Sequence, residues 1–227
     1  LADLVALASA GAFAFSDDGD PVPNSRLMCE ALAHSGALGL PIIDHCEDKA
    51  LTSGGVVNEG IISAKLSLPG VPAVAEEIMV ARDLALAQLT GARLHIAHVS
   101  TEGSVDLIRW YKEKGVKVTA GANAKVNPPL RTKRDIQALI QGLQDNVIDI
   151  IATDHAPHAE VDKLGDFSKA AFGISGLETA LGSLMSLVHG GQLSLNTLIA
   201  KLTSEPAKII GNKYGKLGTL APGTPAD

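Results

Sequence analysis

Cysteine is scarce: the 227 residues contain two, Cys29 and Cys46. Two thiols give no disulfide framework, which points to a reducing compartment, the cytoplasm. Long apolar runs are missing. None approaches the ~18 residues that a membrane span needs, and the start carries no recognisable signal peptide, so no membrane partner is expected. Positive charge is in deficit, with a net charge of −6 and a pI near 5.6. That balance argues against a nucleic-acid or anionic-membrane surface. Neither G-x-G-x-x-G nor G-x-x-x-x-G-K occurs, so nucleotide-binding folds lose their best support. There are no internal repeats, no low-complexity tracts and no linker within 1–200.

What is present is globular. Hydrophobic residues make up 46% and charged residues 19%, enough for one large domain with a sizeable core. Short apolar runs alternate with longer helical patterns. The runs "GAFAFS" (11–16), "LPIIDH" (40–45), "ARLHIAHV" (92–99), "VKVTA" (116–120) and "VIDIIATD" (147–154) read as strands. Between them lie helical stretches: "NSRLMCEALAHSGAL", with Asn24 or Ser25 as N-cap, "AVAEEIMVARDLALAQLTG", ending on Gly91, and "TEGSVDLIRWYKEKG", ending on Gly115. "RTKRDIQALIQGLQDN" and "GLETALGSLMSLVHGG" follow. Such alternation means an α/β fold with a parallel sheet covered by helices, either doubly wound or a (β/α)8 barrel. The chain starts without Met inside a helical pattern and stops at "GTLAPGTPAD", where turn chemistry promises another strand. It is therefore expected to be part of a longer protein, with about five βα units and no closed barrel of its own.

In parallel sheets the functional face lies at the strand C-termini. The first run ends in Asp17 and Asp18, and the second in Asp44, His45 and Glu47. The third ends in His95 and His98, and the last in Asp154, His155 and His158. Each has an ordinary reading, since Asp before Gly is usually a turn residue and a lone strand His usually belongs to the core or surface. His34 and His189, in helical patterns, take that reading. Their gathering at strand ends favours a site. His95 and His98 are three apart, so a regular strand points them to opposite faces. His98 is the better site candidate, and His95 is expected to pack between strand and helix.

Carboxylates and imidazoles converging on one end suit a divalent metal of the zinc type, with oxygen ligands able to hold a second ion. Metal binding lowers the pKa of water from ~15.7 to about 7, and a neighbouring carboxylate can shuttle a proton. The residues alone reach metal-assisted hydrolysis, or its reverse, on a small polar substrate. Nucleophilic chemistry at Cys46 is disfavoured, because the flanking Asp44 and Glu47 raise a thiol pKa.

Six motifs in order, "FSDDG", "HCED", "LHIAHVST", "KVNPPLR", "ATDHAPH" and "AFGISGLETAL", together resemble the bacterial dihydroorotase family of the amidohydrolase superfamily. The resemblance implies a (β/α)8 TIM-like barrel over 1–216, of which this chain carries the C-terminal five or so units. It implies that 217–227 begins a return toward a small β-sandwich domain. It implies a two-zinc site and the reversible cyclisation of N-carbamoyl-L-aspartate to L-dihydroorotate in pyrimidine biosynthesis. By the same resemblance Asp18 bridges both metals, where many relatives use a carbamylated lysine. His45 and His98 bind the second zinc, and Asp154 is both a ligand of the first and the catalytic proton shuttle. Asn127, His158 and the backbone at Phe172 and Gly173 contact substrate. A homo-oligomer and an aspartate transcarbamoylase partner are further expectations.

Two departures accompany it. The family's first-strand His-x-His-x-Arg motif has no match here. A family segment with a Thr-Pro-His-His run has no counterpart between Ala120 and "NPPLR". Two alternatives therefore stay open. One is another cyclic-amide hydrolase, such as dihydropyrimidinase or allantoinase, for which a bridging lysine is expected. The other is a non-catalytic subunit that scaffolds aspartate transcarbamoylase.

Overall fold

The computed structural model describes residues 1–122, 127–164, 166–212 and 215–224. Five parallel strands form one sheet: β1 (Phe15–Ser16), β2 (Ile42–Asp44), then, after a smaller pair, β5 (Leu94–Val99), β6 (Val118–Ala122) and β7 (Ile150–Ile151). The sheet order is β1-β2-β5-β6-β7, so strand order follows chain order, as in a barrel wall, and the sheet stays open. The smaller pair, β3 (Val57–Asn58) and β4 (Gly70–Val71), is a separate parallel sheet that the apolar pattern does not reveal. Residues 217–224 contain neither helix nor strand.

The helices begin and end where their polar residues dictate. Asn24 caps the helix Ser25–Ala37 by accepting from the Leu27 N–H, and Thr101 caps Glu102–Glu113 through the Ser104 N–H. Gly91 closes Val74–Thr90 with φ 66°, a left-handed conformation that costs glycine little. These helices pack on one face of the sheet. Ile42, Leu94, Ile96, Val118 and Ala120 point into that layer and are fully buried against Met28, Leu32, Val80, Leu84, Val105 and Ile108. The alternate residues Ile43, Ala97 and Thr119 are only half-buried. One face of the sheet is thus sealed by helices and the other is left for chemistry.

Two expectations change. The last apolar run was expected as the last barrel strand, buried on both faces. Here β7 ends the sheet, and both its residues are half-buried because no strand among the described residues pairs with its outer edge. Strict alternation also fails in β5. Ile96 and Val99, three apart, both enter the helix-facing core, because pairing with β6 shifts register between them and His98 adopts φ 34°. That irregularity frees His98 from the helix side. His95, expected to pack between strand and helix, instead alternates with the helix-facing Leu94 and Ile96, and its Nδ1 bonds Thr119 Oγ1 of β6 at 2.7 Å.

Candidate active site

The chemistry collects at the strand C-termini. Asp18 follows β1, His45 follows β2 and His98 lies near the end of β5. His45 Nδ1 and His98 Nε2 are 2.8 Å apart, and Asp18 Oδ1 lies 3.6 Å from the first and 3.5 Å from the second. The rings meet edge-on with centroids 4.6 Å apart. One ligand atom from each residue falls within 4.8 Å of the others, a group able to hold a metal ion. A hydrogen bond to His98, aided by charge from His98 and His45, holds the Asp18 carboxyl below its usual range.

Behind this trio stands Glu47. His45 Nε2 is 2.8 Å from Glu47 Oε2, Asn127 Nδ2 donates to the same oxygen at 3.0 Å, and Thr52 donates to the other. Burial resists ionisation of Glu47, but hydrogen bonds with His45, Thr52 and Asn127 prevail and hold its pKa down to about 2. Glu47 therefore accepts, and His45 donates from Nε2. His45 Nδ1 is then a lone pair, aimed with His98 Nε2 and the Asp18 carboxylate at one spot. Two nitrogens and an acid facing each other this closely can share a proton or hold a metal ion. The donor set fits a zinc-type ion, which favours imidazole and carboxylate.

A cavity of about 780 Å³ opens over the trio, lined also by Asn127, Asp154, Phe172 and Gly173. That is the size of a small-molecule site. Asp154 is half-buried with φ 44°. It shares the cavity with Asp18, His45 and His98 but stands outside their close group. Phe172 is 46% exposed. His158 is exposed and sits against Gly173: a Cβ on that glycine would lie 2.8 Å from His158 Nε2 and 2.6 Å from the Ala156 carbonyl. Residues 123–126 of the "GANAKVNPPLR" stretch lie outside the described residues.

Two supporting arrangements were not evident from sequence. Glu76, on the helix Val74–Thr90, accepts from the Ser100 N–H at 2.9 Å and the Thr101 N–H at 3.2 Å, just after His98. It also faces buried Arg131 at 3.8 Å, and Arg131 donates to Ser100 Oγ, Asn58 Oδ1 and the Val71 carbonyl. The second arrangement is the buried group Asp44, Cys46 and Asp83 on the helix side of β2. Burial, then Asp83 and Asp17, push the Asp44 carboxyl up. Arg82 donates to both Asp83 oxygens and balances the other acid. Burial first, and Asp44 second, raise the Cys46 thiol, in line with the expectation that it is no nucleophile.

Comparison with known proteins follows this geometry. A family model described as dihydro-orotase-like matches residues 1–104. A protein named dihydroorotase from Syntrophus aciditrophicus is 50% identical over all of this chain and 57% of its own length. Another from Pelotomaculum thermopropionicum is 49% identical with the same coverage. The chain belongs to the dihydroorotase family. It spans a little over half the length of the curated relatives it matches. The Syntrophus alignment runs over 244 positions against 227 residues, so at least 17 positions of that dihydroorotase face gaps in this chain. Among solved structures, an L-hydantoinase (dihydropyrimidinase) from Arthrobacter aurescens superposes with TM-score 0.79 at 27% identity, over 97% of this chain and 56% of that one. A dihydropyrimidinase from Brevibacillus agri gives TM-score 0.80 at 24% identity. The open five-stranded sheet is therefore part of an amidohydrolase-type (β/α) barrel. No helix among the described residues is long and apolar enough to cross a membrane.

Proposed function

We propose that the protein containing this chain is a zinc-dependent dihydroorotase. It interconverts N-carbamoyl-L-aspartate and L-dihydroorotate by closing or hydrolysing a cyclic amide, a step of pyrimidine synthesis in the cytoplasm. The observation that carries this reading is the convergence of Asp18, His45 and His98 under one cavity. The dihydroorotase names of relatives near 50% identity support the substrate. Asp18 itself supplies the carboxylate of the trio, which favours this reading over hydrolases that bridge their metals with a lysine. A homo-oligomer and an aspartate transcarbamoylase partner belong to the same proposal, as does a return toward a β-sandwich from residue 217.

Asp18, His45 and His98 would hold one ion, and Asp18 with Asp154 would serve a second. Bound zinc supplies acidified water and a polarised amide carbonyl. The chain's own residues do the rest. Asp154 Oδ takes a proton from the attacking water and returns it to the ring nitrogen that leaves as the amide opens. Asn127, His158 and the backbone at Phe172 and Gly173 hold the substrate and orient its carboxylate.

Kinetics on the full-length, zinc-loaded protein test this. Asp154→Asn is expected to lower kcat for dihydroorotate hydrolysis by about 10²–10⁴. His158→Ala is expected to act mainly on KM. An Asp154→Asn enzyme with kcat within a few-fold of wild type would end the case for Asp154 as the shuttle.

A further inference from the structure

We propose that Glu47 is a positioning residue that ties the metal-binding side of the cavity to its substrate-binding side through a single carboxylate oxygen. The inference rests on the dihydroorotase reading of the site and adds a residue to it. His45 and Glu47 are two apart just after β2 and their side chains meet, while Cys46 between them turns toward Asp44. Glu47 Oε2 lies 2.8 Å from His45 Nε2 and accepts from Asn127 Nδ2 at 3.0 Å, and Oε1 accepts from Thr52. The Glu47 side chain is only 13% exposed, so water does not replace these partners freely.

Two consequences follow from that geometry. An acceptor at Nε2 commits the His45 proton there, which leaves Nδ1 as a lone pair beside His98 Nε2 and Asp18 Oδ1. Partners of this kind fix the tautomer and ring orientation of a ligating histidine, and their loss typically costs about 10–100-fold in metal affinity. The same oxygen takes one N–H of Asn127. The amide is then held in one orientation at the wall of the cavity it lines. Asn127 is 80 positions from Glu47 in sequence, so the oxygen joins two loops that are far apart along the chain.

The test uses two variants that separate reach from charge. Glu47→Asp keeps the charge and shortens the arm by one methylene. Glu47→Gln keeps the arm and the acceptor oxygen and loses the charge. In the full-length protein, zinc affinity by chelator competition is expected to fall about 10–100-fold in Glu47→Asp and to fall less in Glu47→Gln. KM should rise with it in Glu47→Asp, whereas Asn127→Ala should raise KM and leave zinc affinity within two-fold. Nitrogen-15 spectra of histidine-labelled, metal-free protein should show His45 protonated at Nε2 in wild type and Glu47→Gln, and a tautomer mixture in Glu47→Asp. A Glu47→Asp protein that binds zinc as tightly as wild type with the same tautomer would overturn the proposal. Turnover of dihydroorotate by wild type scores the functional reading separately. An enzyme that binds zinc but opens a different cyclic amide would refute the substrate and leave the Glu47 affinity ratio to decide this inference.

Discussion

Removing Glu76 should cost more than removing any acid at the surface, and the structure says by how much. Glu76 is 4% exposed and accepts two backbone N–H groups and two hydroxyls from Ser100 and Thr101. It also faces Arg131, whose side chain is 2% exposed. Burial pulls the Arg131 pKa down, and Glu76 is the largest influence opposing it. Glu76→Ala would strand a buried guanidinium and two N–H groups together. Breaking one partner of a buried pair costs about 3–5 kcal/mol, against a total stability of roughly 5–15 kcal/mol. With a urea slope of about 3 kcal/mol per molar, the midpoint of the full-length protein should drop by about 1 M or more. Arg131→Met should be milder, since Glu76 keeps its backbone and hydroxyl donors. The double variant should recover part of the Glu76→Ala loss, with a coupling of about 1–3 kcal/mol. A Glu76→Ala protein within about 1 kcal/mol of wild type, or a double variant whose losses simply add, would show that the pair is not desolvated as described.

Two other expectations concern the sheet and the cavity rim. Burial depresses the His95 pKa to about 4, so between pH 4 and 6.5 the unfolded chain binds a proton that the folded one refuses. His95 therefore contributes stability above pH 6.5 that is lost as pH falls toward 4, about 3 kcal/mol in all. Urea midpoints of wild type and His95→Asn at pH 7 and pH 4.5 should diverge less at the lower pH, and an unchanged difference would refute this. Gly173→Ala should disturb the rim, because φ 117° disfavours any side chain and the new Cβ would meet the Ala156 carbonyl at 2.6 Å. It is expected to raise KM at least tenfold, about 1.4 kcal/mol, with zinc content unchanged. A wild-type KM would remove Gly173 from the substrate contacts.

The barrel wall was legible because each large-sheet strand is a local apolar run and helices with clear caps separate them. Run lengths misled at both edges. "GAFAFS" and "VIDIIATD" each contribute only two paired residues, since among the described residues β1 and β7 have a neighbouring strand on one side only. The β3–β4 pair was illegible, because two-residue strands carry no periodicity. In the site, Asp18, His45 and His98 were readable from their place at strand ends. The phase of His98 was not. Alternation would have turned it into the helices had the register not shifted, and nothing in "LHIAHVS" announces a bulge. Glu47 was visible as an acid beside His45, but its work depends on Asn127 far along the chain. Glu76 looked like one more acid in the first turn of a helix, and only the fold places Ser100 and Arg131 over it.

The backbone at His98 and Asp154 bears on how this protein could be altered. Four non-glycine residues among those described have positive φ, and two of them are these cavity residues. Such a conformation costs an L-residue on the order of 1–2 kcal/mol. Glycine at either position would relieve it, so selection for stability alone would favour the two substitutions that delete a candidate ligand and the candidate shuttle. A stability-guided redesign would thus degrade the enzyme at the positions where it reported its clearest gains. Under neutral drift, a relative that had lost its chemistry would be free to acquire those glycines first.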